Sequence, residues 1–306
     1  MNANESVPAG IAQEHTGSGV QARAAPRRVL GCRPLSRFLA VTAATALAAG
    51  AALGTVLTAG PASAASNVGW IMGAGNVNGL NVLDPAMASY FFNTSAAYGT
   101  GSSLVGNPIQ PGLATTPVLA YTSYAQFRSD IQNGLITFPY RWVMYDPEKW
   151  AQTPLSEQQD PTTYMTLFGQ LAHAHGLKVI QAPAMDLAYV TGSVIPRKLH
   201  ESAAAWWLRV NIAGAAAAAG DIVNIQDESL TANLSAYDWL FNNAAAQARA
   251  ANPNVQVYSE LSTANGTLGQ MVAAAQSVSP DGFYVAAPGA ISEADQFFQQ
   301  MKAAGY

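Results

Sequence analysis

The sequence predicts an α/β fold, a (β/α)8 barrel of the TIM type, and three observations support this prediction. Short apolar segments alternate with longer segments of helical character, which is the pattern of right-handed βαβ units and a parallel sheet. The part of the chain that follows a predicted export signal, residues 65–306, has the length of one barrel domain. Polar and acidic residues follow several apolar segments, at the place where barrels build their sites.

Seven strands are clear in the sequence, and helices follow most of them. The predicted strands are residues 68–73, 117–121, 142–146, 178–182, 221–226, 255–259 and 282–287. The predicted helices are residues 85–98, 124–133, 161–175, 200–219, 235–251, 268–278 and 292–304. Ser123 is a typical N-cap, Pro161 suits a first helical turn, and Pro253 follows a helix end.

An eighth strand at residues 102–106, inside the Gly-rich segment 99–116, would complete the barrel. A barrel of seven strands and a chain that lacks a C-terminal strand are the alternatives. An open doubly wound sheet also uses βαβ units, but no Gly-x-Gly-x-x-Gly turn supports it.

The first 64 residues are predicted to be a signal peptide with an N-terminal extension, cleaved after Ala64. Arginines precede an unbroken apolar run at residues 38–60, and Ala62 and Ala64 form a small-residue cleavage site. The run is long enough to span a bilayer, so an uncleaved anchor is the alternative. The sequence therefore predicts a secreted protein, with one domain at residues 65–306 and no membrane association after processing.

Charge and cysteine content narrow the classes of partner. The single cysteine, Cys32, lies in the removed segment, so the mature chain has no disulfide and no thiolate metal site. The mature chain keeps nine basic and 16 acidic residues, a net charge of −7, without basic clusters. This balance argues against nucleic acid and anionic membranes as partners. We expect a monomer that acts on a polysaccharide or another polar small molecule.

Alternation along the strands predicts which side chains face the barrel interior. A purely structural barrel fills this space with Val, Ile and Leu. Here polar residues have the inward parity on neighbouring strands, and two glutamates follow them at the mouth. They are Gln181, Asn224, Gln226, Tyr258 and Tyr284, with Glu228 and Glu260. This convergence is the strongest indication of a ligand site.

The segment 141–150 carries a second acidic tip. Asp146, Glu148 and Trp150 follow its apolar core, and parity does not choose between Asp146 and Glu148. The strand lies three strands before that of Glu260, so the two tips would face each other across the mouth. Two facing carboxylates, one protonated and one ionised, are the working parts of most glycosidases. Trp150 and Tyr258 are candidates to stack against a sugar ring.

Each of these acidic residues also has a structural interpretation. Asp146 and Glu148 are able to cap a loop or pair with Lys149, and such surface pairs are common and weak. Glu228 is a possible loop cap and Glu260 a possible loop anchor. Asp186 lies four residues beyond its strand and is a further candidate for substrate binding.

The sequence predicts no metal and no cofactor. His173 and His175 are two residues apart on a helix and therefore point to different sides. No Gly-x-Ser-x-Gly turn occurs, which argues against an α/β-hydrolase.

Three stretches resemble a group of secreted bacterial proteins with a glycoside-hydrolase-like TIM barrel. They are residues 144–150 (MYDPEKW) with Thr153-Pro154 and Glu157-Gln158, residues 224–228 (NIQDE), and residues 244–253 (AAAQARAANP). The resemblance covers about residues 68–305 and implies the barrel and export, but no particular substrate. The chain lacks both the Asp-x-x-Asp-x-Asp-x-Glu run of chitinases and the Asn-Glu-Pro of many retaining enzymes.

The first hypothesis is a secreted carbohydrate-active hydrolase. Glu148 (or Asp146) and Glu260 would be the acid/base and the nucleophile or base, with Glu228 as the alternative acid. The second is a non-catalytic barrel that binds a glycan or small ligand, with carboxylates that are too far apart or too fully paired for catalysis. A lyase or isomerase is a third hypothesis, but the sequence shows no Lys or His base at a strand tip.

Overall fold

The computed structural model describes residues 68–102, 109 and 111–306. In this part of the chain, eight strands close into one barrel in sequence order, and every neighbouring pair is parallel. The predicted (β/α)8 fold is confirmed, and the seven-stranded and open-sheet alternatives are wrong. The predicted signal peptide lies outside the described residues.

The strands are short and hydrogen-bonded in sequence order. They are β1 Gly69–Gly73, β2 Ala97–Ser102, β3 Thr116–Tyr121, β4 Trp142–Tyr145, β5 Lys178–Gln181, β6 Ile222–Ile225, β7 Gln256–Ser262 and β8 Gly282–Ala286. Strand β7 is longer than predicted, so Glu260 lies within it.

Helices surround the barrel. They are α1 Ala74–Leu83, α2 Pro85–Phe92, α3 Tyr124–Gln132, α4 Leu155–Gln159, α5 Pro161–Ala174, α6 Ala203–Arg209, α7 Ile212–Ala219, α8 Leu234–Ala251, α9 Leu268–Ser277 and α10 Ile291–Ala303. Two 3-10 helices, Met185–Tyr189 and Glu228–Leu230, follow β5 and β6. None of the helices in the described ranges is long and apolar enough to cross a membrane.

The first strand-to-strand connection differs from the prediction. Helix α1 follows β1 directly, where the sequence predicted no helix, and the next helix ends at Phe92, not at residue 98. The eighth strand is β2, earlier than the predicted residues 102–106. Glycine is normally depleted in strands, which hid β2 in the sequence. Close packing explains Gly99, because a Cβ there would lie 2.3 Å from Cδ1 of Ile109.

The predicted helix at residues 200–219 is two helices, α6 and α7. The chain breaks at Asn211, whose φ of 59° is left-handed. Asparagine is one of the few residues apart from glycine that adopts this conformation readily. A Cβ at Gly214 would lie 2.5 Å from the side-chain amide of Asn211, so this glycine leaves room for the Asn211 side chain at the break.

The apolar core has two layers. The larger layer lies between the outer faces of the strands and the helices. The smaller layer fills the barrel with inward-facing side chains: Ile71, Tyr98, Val118, Met144, Ile180, Ala182, Ile222 and Tyr258. Tyr258 is fully buried there. Its ring occupies space next to Gly282, where a Cβ would lie 2.3 Å from the ring. The barrel is therefore a packed core with its polar residues nearer the mouth.

Candidate active site

Strand β4 directs Asp146 into the barrel mouth. Trp142 and Met144 belong to the interior layer, so the alternation of side chains continues inward at Asp146. Tyr145 faces the helices instead, and its hydroxyl donates a hydrogen bond to Glu157 over 2.8 Å. The orientation that the sequence left open is thereby resolved: Asp146 faces inward.

Asn224 in β6 and Gln226 directly after it each hold one carboxylate through a side-chain amide. Nδ2 of Asn224 donates to Oε2 of Glu260 on β7 over 2.7 Å. Nε2 of Gln226 donates to Oδ1 of Asp146 over 2.7 Å and to the carbonyl of Ala182 over 2.9 Å. Asn224 is fully buried and Glu260 is 7% exposed. One strand thus positions an acidic residue on each side of it.

A cavity of about 190 Å³ lies beside these pairs. Three carboxylate residues line it: Glu148, Asp186 and Glu228. The backbone N–H of Lys149 donates to Oδ1 of Asp186 over 2.9 Å, which joins the loops after β4 and β5. Gln226 also lines the cavity and therefore links it to the Asp146 carboxylate.

Burial and mutual repulsion raise the pKa values of this cluster. Burial is the largest cause for Glu260, whose pKa lies well above its ordinary value, and Glu228 and Asp146 add to it. The pKa of Asp146 is also raised well above normal, by burial and then by Glu148. Burial, Asp186 and Glu228 raise the pKa of Glu148 to about 7. Raised pKa values in neighbouring acids favour partial over complete ionisation of the cluster near neutral pH.

The charge of these acids is not balanced by nearby cations. The ion pairs among the described residues are those of Asp221 with His173 and Lys178, Glu201 with Arg209, and Asp281 with Arg249. None of them includes a carboxylate of the barrel mouth. The second sequence hypothesis expected carboxylates that are too far apart or too fully paired; among the described residues, the ion pairs that full pairing would require are not found at the mouth.

Gln181 faces away from the site, so its predicted inward orientation is wrong. Ile180 and Ala182 are the inward residues of this segment. The buried Nε2 of Gln181 donates to the carbonyl of Met165 in α5 over 3.1 Å. A polar residue on a strand therefore need not face the interior, because a helix backbone also offers a hydrogen-bond partner.

The predicted aromatic residues lie in three different environments. Tyr258 faces inward but is fully buried in the lower core, so it is not available to stack against a ligand at the mouth. Tyr284 is paired in register with Glu260 and is partly exposed. Trp150 is 38% exposed, and its Nε1 donates to Oγ1 of Thr153 over 2.9 Å, which fixes the indole in the loop after β4.

Asp227 is a buried residue of the site that the sequence prediction missed. Its Oδ1 accepts the backbone N–H of Glu260 over 2.9 Å, and its carboxylate accepts the Ser259 hydroxyl. The Tyr237 hydroxyl of α8 contacts Ser259 in turn. Asp227 thereby positions the backbone at Glu260. The sequence feature that could have pointed to Asp227 is Ser259, a polar residue of β7 at a position that faces the helices.

In the part of the chain that the structure describes, no group of three or more His, Cys, Asp or Glu side chains is arranged to hold a metal ion.

Comparison with known proteins identifies no family. No family model matches the chain, and no curated protein matches it. Among solved structures, hydroxymethylglutaryl-CoA lyase from Pseudomonas aeruginosa is similar, with 13% identity, a TM-score of 0.43, and coverage of 72% of this chain and 76% of that chain. An active-site mutant of Rhizomucor miehei beta-1,3-glucanosyltransferase in complex with laminaritriose has 13% identity, a TM-score of 0.40, and coverage of 75% and 92%.

Proposed function

We propose that the protein is a carbohydrate-active hydrolase that cleaves glycosidic bonds at the barrel mouth. The observation that carries the proposal is the pair of amide-held carboxylates, Glu260 and Asp146, beside the carboxylate-lined cavity. Glycosidic bond cleavage needs one protonated carboxyl group and one ionised carboxylate. The raised pKa values of these acids supply that combination near neutral pH.

Glu260 is the general acid in this proposal. Burial keeps it protonated, and it gives its proton to the glycosidic oxygen as the bond to the anomeric carbon breaks. Glu148 is the ionised partner, because it lines the cavity, is partly exposed and has a pKa of about 7. It attacks the anomeric carbon or removes a proton from the attacking water. Asp146 is the alternative partner and Glu228 the alternative acid.

Release of reducing ends from a panel of soluble and cell-wall glycans tests the proposal. Glu260→Gln and Glu148→Gln should each lower kcat by at least about 1,000-fold, since each removes a group that acts in the transition state. Asp238→Asn is the matched control, because it removes a carboxylate on α8, away from the cavity-lining residues. Circular dichroism verifies that the variants are folded. Full activity in both glutamine variants would refute this assignment.

A non-catalytic glycan-binding barrel is the alternative function. It is supported if a glycan raises the melting temperature of the wild type but no glycan in the panel is cleaved.

We also propose that the protein is exported, with cleavage after Ala64, and acts as a monomer. The mass of the protein recovered from the culture medium tests the cleavage, and sedimentation tests the oligomeric state. A protein that stays in the cell membrane with residues 38–60 intact would contradict export.

A further inference from the structure

The barrel mouth contains more hydrogen-bond acceptors than donors. Among the residues that line the cavity, Glu148, Asp186 and Glu228 each contribute a carboxylate, and none is Lys, Arg or His. Any ligand that fills this cavity meets mainly oxygen atoms that accept hydrogen bonds.

Two buried acceptor atoms at the site have no hydrogen-bond partner. Oε2 of Glu228 is inaccessible to solvent and unpaired. Oδ1 of Asn224 is also unpaired, although Asn224 is fully buried and its Nδ2 binds Glu260. An unpaired buried acceptor is costly, so a ligand that supplies an N–H donor to Glu228, the one of these two residues that lines the cavity, is favoured.

We propose that the site selects a cationic glycan, one whose sugars carry free amino groups. An ammonium group offers three donors and a positive charge, which match the unpaired oxygen of Glu228 and the uncompensated carboxylates of the cavity. Anionic sugars are repelled by the same charges. The inference rests on the proposed function in taking the ligand to be a glycan, whereas the excess of acceptors does not depend on catalysis.

A metal cation is the competing occupant. It would use the same oxygen atoms, but the described residues do not have the arrangement of three or more ligands that holds a metal. A ligand that brings its own hydrogen atoms therefore fits this site better.

Three β-1,4-linked oligomers that differ at C2 test the proposal: those of glucosamine, N-acetylglucosamine and glucose. Calorimetry at pH 7 on the Glu260→Gln full-length protein measures binding without hydrolysis, and this variant keeps the three acidic residues of the cavity. We expect the glucosamine oligomer to bind at least about tenfold more tightly than the glucose oligomer, and this preference to weaken with salt. Adding Asp186→Asn should reduce the preference, and adding Asp238→Asn should not.

Equal binding of the glucosamine and glucose oligomers would overturn the inference, and cleavage of any glycan by the wild type would still support the hydrolase. Preferential binding of the glucosamine oligomer without cleavage would support the inference and count against the hydrolase. If calcium chloride raises the melting temperature and the glucosamine oligomer does not bind, the site is a metal site and the inference fails.

Discussion

Two buried glutamates of this protein differ in how their oxygen atoms are paired. Glu157 in α4 accepts four hydrogen bonds, from the Ser123 and Tyr145 hydroxyls and from the N–H groups of Tyr124 and Ala125. Glu260 in the barrel mouth accepts an amide N–H from Asn224 and lies among other acids. Both glutamates are buried, but Glu157 accepts hydrogen bonds on both of its carboxylate oxygens, whereas Glu260 accepts one from Asn224 on Oε2. Hydrogen bonding, and not burial, therefore distinguishes the structural glutamate from the proposed catalytic one.

The position of Glu157 explains its donors. Tyr124 and Ala125 form the first turn of α3, where backbone N–H groups have no partner within the helix. Glu157 satisfies them from α4 and adds a negative charge to the positive end of the helix dipole. It therefore joins α3, α4 and β4, and it has no role at the mouth.

Replacing each glutamate by glutamine should have unequal effects on the free energy of unfolding. Glu157→Gln replaces one of the two acceptor oxygens by an amide N–H₂, which then faces two of the four donors. We expect it to lower the free energy of unfolding by about 3 kcal/mol. Glu260→Gln removes a repelled carboxyl group and should change it by less than about 1 kcal/mol. Urea unfolding of both variants measures the difference. Equal destabilisation would show that pairing does not distinguish the two residues.

The amide on β6 should matter for activity more than for stability. Asn224→Ala removes the N–H that holds Glu260, and misplacement of the acid should lower kcat/KM by about 100-fold. The same hydrogen bond lowers the pKa of Glu260, so its loss should also move the alkaline limb of the pH profile upward. Asn243→Ala, an exposed change on α8, is the control. An unchanged alkaline limb would mean that Asn224 does not act through Glu260.

The smallest expected effect concerns Asp186. Its negative charge helps to raise the pKa of Glu148 to about 7. In the proposed mechanism Glu148 acts when ionised. Activity should therefore rise with pH through about 7 in the wild type. In Asp186→Asn the pKa of Glu148 falls, so the acid limb should move down by roughly half a pH unit. A shift to higher pH, or the same shift in Asp238→Asn, would contradict this role.

The sequence predicted the features that depend on regular alternation. The barrel follows from repeated strand–helix units, and the inward parity of Asn224, Gln226 and Glu260 follows from the two-residue period of a strand. It did not locate β2, because Gly99 is explained by the distant side chain of Ile109. It also misplaced Gln181, since α5 provides a hydrogen-bond partner that no local pattern reveals.

The choice between the structural and functional carboxylates was likewise beyond the sequence. The Glu157-Gln158 pair supported only a resemblance, and the donors of Glu157 come from residues more than 10 positions away along the chain. Asp227 was hidden for the same reason, because its donors lie on β7. Contacts between distant segments decide how a carboxylate is used.

Asn224 and Gln226 are two residues apart, so they share one face of the segment that begins with β6. Adding or deleting a single residue before them would turn both amides toward the helices and release Glu260 and Asp146 together. The positions of the Glu260 and Asp146 carboxylates therefore depend on the same short segment. An engineered library must therefore keep the length of β6, together with the positions of Glu148, Asp186 and Glu228 in the segments that follow β4, β5 and β6.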